Sequence, residues 1–375
     1  MSCVQRGRRS WAPTWFVMVA LVWGGCSRPQ PPLLVNLVPA LEHLERAGAR
    51  IVYFNGAAYP ELLKRKPVWL VESDREAGSE RVRSLAQAAL NPKLFRQMDR
   101  QEHFEMLLLA GDPVQYRPLM EHLIKTQDWA LDRVDPWSLV YRRGGVETIN
   151  PKAIMDVAAQ WDAAAPEVRA QALAAMAERL VVAGRLEVAG QLVAAATQAD
   201  PHSSAAWIAE GWYRLARGEW AQAMAAANKA LAQEKRNRAA LSVKAQGLYF
   251  SKHFEEAYEL SRGLLADAPE DPVMLFTHAK IAHEVRAFQE EIRLLRKLIG
   301  IAEREKRSTS WYRVFLGQAL AMTGEGTEAV QSFNQALADP ELPADQRDFA
   351  RSAQARVELR IRPPSENGTP RESNK

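Results

Sequence analysis

The sequence predicts a small α/β segment followed by an all-α array of helical hairpins. Three observations point there. From about residue 170 onward the chain repeats itself every 34 residues. Over 34–148, short apolar runs of strand type alternate with helical patterns instead. Both cysteines, Cys3 and Cys26, lie before residue 27, so the folded part is held without disulfides, thiolate metal sites or a cysteine nucleophile.

The N-terminus sets the compartment. Arg6, Arg8 and Arg9 form a basic region, and Trp15 to Trp23 is an unbroken apolar run. That run, even extended from Ser10 to Ser27, falls short of the roughly 20 apolar residues a bilayer span needs. It reads as a secretory signal, residues 1–26. Gly24 and Gly25 before Cys26 resemble a bacterial lipobox, with Trp23 standing where such boxes usually carry leucine. The resemblance implies acylation at Cys26 and anchoring in the bacterial envelope; an ordinary cleaved signal and an uncleaved anchor are the alternatives. With Ser27 rather than an aspartate after the cysteine, the periplasmic side of the outer membrane is expected over the inner membrane. Residues 27–33 then read as a stiff, proline-rich spacer.

Residues 34–148 form the α/β segment. The runs 49–54, 67–73, 105–112 and 138–143 are strand candidates, and 129–134 is an alternating one. Helical patterns at 36–47, 79–89, 93–101 and 113–126 fall between them, which predicts a largely parallel sheet completed by a terminal hairpin. The stretch from Leu107 to Arg143 is loosely similar to soluble domains carried by some bacterial membrane mannosyl-type glycosyltransferases. Their membrane-embedded catalytic part has no counterpart here, so no activity carries over.

The second half is read copy by copy. Residues 205–231 carry Gly211, a turn at Gly218, then Ala223, Ala227 and Ala230. Shifting by 34 gives Ala245, Lys252, Ala257, Ser261 and Leu264, closed by Pro269; a further shift gives Ala279, Arg286, Glu291, Leu295 and Leu298. Shifting backward gives Gly184, Ala189, Val193 and Ala196, closed by Pro201. A last copy, after a four-residue insertion, has Gly317, Gly324, Ala329, Phe333 and Ala336, closed by Pro340. This pattern resembles the tetratricopeptide repeat, with copies at 170–203, 204–237, 238–271, 272–305 and 310–343 inside 170–343. The resemblance implies a right-handed superhelix of hairpins. Small residues sit where paired helices approach, and a glycine at the turn can take a left-handed cap, from which Lys252 and Arg286 depart. The aromatics after the turn, Trp220, Phe254 and Phe288, are expected to plug toward the next helix. Residues 344–362 read as a capping helix with Phe349 and Val357 inward, and 363–375 as a disordered tail.

Chemistry-bearing residues are sparse. With 47% apolar and 25% charged residues the composition is globular. The net charge of +4 is interspersed, with no basic patch interleaved with aromatics, so no nucleic-acid partner is indicated. Asp112, Glu72 and Asp74 follow strands, where α/β sites lie, but helix capping and loop solvation explain them as well. His278 and His283 are five apart, a poor spacing for a helical metal site. No cofactor or metal is expected. In the resembled fold the first helix of each hairpin lines the concave face, which nominates Trp212, Ser242, Gln246, Tyr249, Phe276, Lys280, His283 and Gln318 as a groove for a protein or extended peptide. Some members of that family clamp a C-terminal carboxylate with lysine and asparagine; Ile208 and Trp212 stand at those positions here, which argues against a clamp.

The function expected is therefore a non-enzymatic, envelope-anchored scaffold. The alternative is a glycan- or lipid-linked-sugar-handling α/β module docked to a glycosylation or export complex through the repeats. A subunit of a surface-polymer or outer-membrane assembly machine is a third reading.

Overall fold

The computed structural model describes residues 37–55, 62, 80–111, 113–145, 149–304, 307–340 and 342–361. The signal, Cys26, the spacer, the strand expected at 67–73, the carboxylates Glu72, Asp74 and Asp112, and the tail 363–375 lie outside them. Two compact units divide the chain, the first ending at Val273 and the second starting at Met274.

In the first unit the order is α1 (Val38–Arg46), β1 (Val52–Phe54), α2 (Glu80–Leu90), α3 (Pro92–Glu102), β2 (Met106–Ala110), α4 (Arg117–Thr126), β3 (Trp129–Asp135) and β4 (Ser138–Arg143). The sheet runs β1-β2-β4-β3. β1 pairs parallel with β2, while β4 is antiparallel to both β2 and β3. Three strands therefore share a direction, as a largely parallel sheet requires, yet two of the three ladders are antiparallel. The cause is the two-residue turn Pro136–Trp137, which folds β4 straight back between β3 and β2. β2 reads Met-Leu-Leu-Leu-Ala and is buried along its whole length, as a central strand covered on both faces must be. Each such leucine contributes roughly 1.5–3 kcal/mol by leaving water. Asn55 extends the β1 edge: its amide donates to the Ala110 carbonyl at 2.8 Å and its side-chain oxygen accepts from the Ala110 N–H at 2.9 Å. Phe95 and Phe104 each meet Tyr53 edge-to-face, with ring centroids 5.2 and 5.5 Å away, and stack on one another at 6.1 Å.

After α5 (Pro151–Ala158), helices pair into hairpins: α6 (Pro166–Val182) with α7 (Leu186–Ala199), α8 (Ser204–Ala216) with α9 (Trp220–Gln233), and α10 (Arg238–Phe250) with α11 (Phe254–Asp267). The rhythm continues with α12 (Pro272–Glu284), in the second unit from Met274 onward, and α13 (Phe288–Arg304), α14 (Ser310–Thr323) and α15 (Gly326–Leu337), and ends in α16 (Ala344–Ile361). Caps keep the same period. Ser203 accepts from the Ala206 N–H, Asn237 from the Ala240 N–H and Asp271 from the Val273 N–H, each just before a first helix. The turns do too: Gly184, Gly218 and Gly324 have φ of 73°, 75° and 87°, and Lys252 and Arg286 take the same left-handed conformation at 65° and 61°. The two departures from glycine thus keep the turn and bear its strain.

Small residues allow close approach, with one reassignment. A Cβ on Gly317 would lie 2.9 Å from Phe333 of its own hairpin, as expected. A Cβ on Gly211 would instead lie 2.7 Å from Val243, on the first helix of the following hairpin. Trp220 stacks on Phe250 of that helix at 4.5 Å, whereas Phe254 and Phe288 contact Tyr249 and His283 of their own hairpins. In α16 Val357 is buried, and Phe349 is only half so.

The α/β segment and the first hairpin do not part at a linker. One cluster of buried residues runs from Leu37 through the sheet to Leu173, Leu180, Leu192 and Tyr213. Arg179 of α6, 5% exposed, reinforces it by donating through Nη2 to the Gly111 carbonyl at the end of β2, at 2.9 Å. Among the described residues no helix is long and apolar enough to cross a membrane.

Candidate functional site

The first helices of the hairpins carry the nominated residues because the repeat places them in register. Trp212, Gln246, Lys280 and Gln318 occupy one helical position, successive 34-residue shifts apart with the insertion counted in the last. Ser242 and Phe276 occupy another, Tyr249 and His283 a third. Helical spacing puts all three on one face of their helix.

In the first unit that face is mostly closed. Trp212 is buried among Ile208, Leu215, Ala223, Ala227 and Val243, and Ser242 and Gln246 are buried as well. A side chain without exposed surface supports a binding face from beneath and cannot touch a partner directly. Tyr249 is half-buried, set edge-on to Phe250 at 5.1 Å and to Phe254 at 5.8 Å. Ile208 and Trp212, which stand where a carboxylate clamp would need lysine and asparagine, both belong to the apolar core.

The second unit offers more. Phe276, Lys280 and His283 follow one face of α12; Trp311, Phe315 and Gln318 follow one face of α14. Phe276 meets Tyr312 and Phe315, both at 5.4 Å, and Phe315 meets Trp311 at 5.4 Å. All four rings are half-buried, as Tyr249 is. Lys280 is 9% exposed, its Nζ 6.0 Å from the Phe276 ring. His283 lies one turn further along. Its Nδ1 is 2.9 Å from Oε2 of Glu291 on α13, and its Nε2 is 3.3 Å from Nε2 of Gln318. Glu291 is 1% exposed. The hydrogen bond to Glu291 holds the His283 pKa above its ordinary value against the opposing effect of burial, and burial pushes the Glu291 carboxyl upward. His278, fully buried, has its Nε2 3.4 Å from Oε1 of Glu290. Among the described residues no group of three or more histidine, cysteine or acidic side chains could hold a metal ion.

Glu291 was missed as a site residue, although the repeat marks it. It occupies the small-residue position held by Ala189, Ala223, Ala257 and Ala329 in the other copies. A carboxylate in that slot must be paired, and His283 pairs it.

On the α/β segment, Asp132 of β3 accepts from His43 Nε2 at 2.7 Å and from Arg142 Nη2 at 2.9 Å. Burial alone would raise its pKa; the two hydrogen bonds outweigh it and bring it down to about 2. A shallow cleft of about 400 Å³ lies nearby, lined by Ala49, His103, Phe104, Glu105, Arg142 and Arg143 among others. It opens at the start of β2 and the end of β4, opposite to the strand end that precedes Asp112. The pocket that a sugar-handling module requires at 72–74 and 112 falls on residues outside those described.

No family model matches the chain and no curated protein matches it. Among solved structures, a thermophilic TPR protein of Thermus thermophilus, TTC0263, is 15% identical, covering 49% of this chain and 97% of that one, at a TM-score of 0.40. PilF of Pseudomonas aeruginosa is 19% identical over 52% and 91% of the two chains, at 0.42. YrrB, described as a TPR protein with an unusual peptide-binding site, is 14% identical over 54% and 100%, at 0.41. Likeness of this size decides nothing about function; the hairpin architecture is read from the chain's own helices.

Proposed function

We propose that the chain is a non-enzymatic scaffold that holds a protein or extended peptide on the first-helix faces of its hairpins. The observation that carries the reading is the half-buried strip on α12 and α14, where Phe276, Tyr312, Trp311 and Phe315 form one aromatic surface ending in His283 and Gln318. Large rings lose little rotamer freedom on binding, and the polar end can satisfy a peptide backbone. Tyr249 supplies a second contact in the first unit. The buried set Trp212, Ser242, Gln246 and Lys280 shapes these faces from below.

The reading extends to the envelope. Acylation of Cys26 would tether the scaffold to a membrane, on the periplasmic side of the outer membrane, and raise the effective concentration of its faces there. Replacement of Cys26 by serine is expected to release the protein from the membrane fraction and abolish incorporation of a labelled fatty acid. Retention with label would overturn the anchor.

The scaffold reading is tested by affinity capture after crosslinking in intact cells, with wild type beside Phe276→Ala/Phe315→Ala. One protein recovered with wild type and reduced about tenfold by the double variant supports it, the loss of two aromatic anchors being worth that much or more. Equal recovery by both contradicts it.

A further inference from the structure

We propose that His283 is a proton-operated selector on this face: taking up a proton at Nε2 turns over the Gln318 amide and swaps the hydrogen-bonding group that Gln318 presents to a partner. The proposal rests on the partner-binding reading above and adds its regulation.

Glu291 fixes the protonation pattern of the ring. Its carboxylate is 1% exposed, with Oε2 2.9 Å from Nδ1 of His283. An ionised carboxylate can only accept, so Nδ1 keeps its proton in both states of the ring. The tautomer is thereby fixed, and Nε2 is the nitrogen that titrates. Nε2 faces Nε2 of Gln318 at 3.3 Å. With the ring neutral, Nε2 offers a lone pair, the Gln318 amide N–H donates to it, and the Gln318 carbonyl oxygen is left for a partner. With the ring protonated, Nε2–H is a donor facing another donor. The amide relieves this by turning over: its oxygen accepts from Nε2–H and its NH2 is left for a partner. One proton moves from solvent to the Nε2 lone pair, and no other covalent bond changes. A peptide N–H is matched by the first state and a peptide carbonyl by the second.

Glu291 of α13 is the ion partner, and Glu284, the next residue on α12, also favours the cation. Lys280 lies one turn back on the same helix, and His278 faces Glu290 at 3.4 Å. From α13 the Phe288 ring stands edge-on at 5.6 Å. From α14 the contact is the uncharged Gln318, with Arg313 engaged by Glu303 at 2.6 Å. The carboxylate therefore places the transition above the ordinary histidine value of about 6.5.

The experiment is a pH titration of the full-length protein by nitrogen-15 NMR. His283 and the Gln318 amide are assigned by the signals lost in His283→Phe and Gln318→Met. At high pH one Gln318 amide proton should be protected from solvent exchange. Protection should vanish with the same midpoint as the protonation of His283, and Glu291→Gln should lower that midpoint. A Gln318 amide whose protection ignores the His283 transition overturns the selector, as does a His283 that never titrates between about pH 5 and 9. For a partner captured on this face, wild-type affinity should change about tenfold across the midpoint and be flat in Gln318→Met. A pH-independent wild type again overturns it. If Phe276→Ala/Phe315→Ala shows that no partner uses the face, the scaffold reading fails by itself, and the NMR result still decides the proton coupling.

Discussion

Lys252 and Arg286 show how a single position can obey the repeat and strain against it. Both take a left-handed φ where three other copies have glycine. A side chain there costs roughly 1 kcal/mol. Lys252→Gly and Arg286→Gly are each expected to raise stability by about 0.5–1 kcal/mol, read as a higher denaturant midpoint, and a lower midpoint would show that these side chains make compensating contacts. Asp132 carries a different signature. Its folded pKa, about 2, lies below the unfolded value, so its contribution is present above about pH 4 and is lost as pH falls toward 2. Asp132→Asn should flatten that part of the pH–stability curve, and an unchanged acid limb would contradict the assignment. His283 runs the other way: its raised pKa stabilises the fold below the unfolded value and the gain disappears as pH rises through the folded one. Sequence alone exposed the turn positions, because the period supplies a comparison within one chain; the same comparison marks Glu291 among alanines, a signal that went unread. Sequence could not expose Asp132, whose partner His43 is 89 residues away and meets it only through tertiary packing.

At the scale of elements, the period dictates which helix faces meet, but the identity of the neighbour is a matter of geometry. Gly211 was legible as a close-approach position; that Val243 of the next hairpin presses on it was not. Gly211→Ala is expected to cost about 1–3 kcal/mol by overpacking, and adding Val243→Ala should recover part of it, as a double-mutant cycle in chemical denaturation would show. Strict additivity would place the clash elsewhere. Among the caps, Asn237→Ala should cost about 1 kcal/mol. The four described strands were legible from their apolar runs, the run at 67–73 lying outside the described residues. Their order was not, since a run such as β4, buried at its first four positions, reads the same beside either neighbour and in either direction.

Over the whole molecule, the sequence marks an α/β segment and a repeat segment, and the structure joins the first to the opening hairpin through a common core. The continuity follows from α6, whose apolar positions face both α7 and the sheet, and whose Arg179 closes on Gly111. Native-state hydrogen exchange should therefore give β2 and α6 amides the same opening free energy, and a clear separation would show two independently opening parts. The proposed scaffold sets the half-buried rings and polar groups of its first helices against a partner and leaves the second helices out of that contact. The most direct measurement of that division is photocrosslinking in intact cells, with a photoreactive residue placed at 249 or at 318 and, as a control, at the exposed Gln222 of α9. The scaffold account predicts that 249 and 318 label the same partner and that 222 does not. Labelling from 222 alone, or none from 249 and 318, would contradict it.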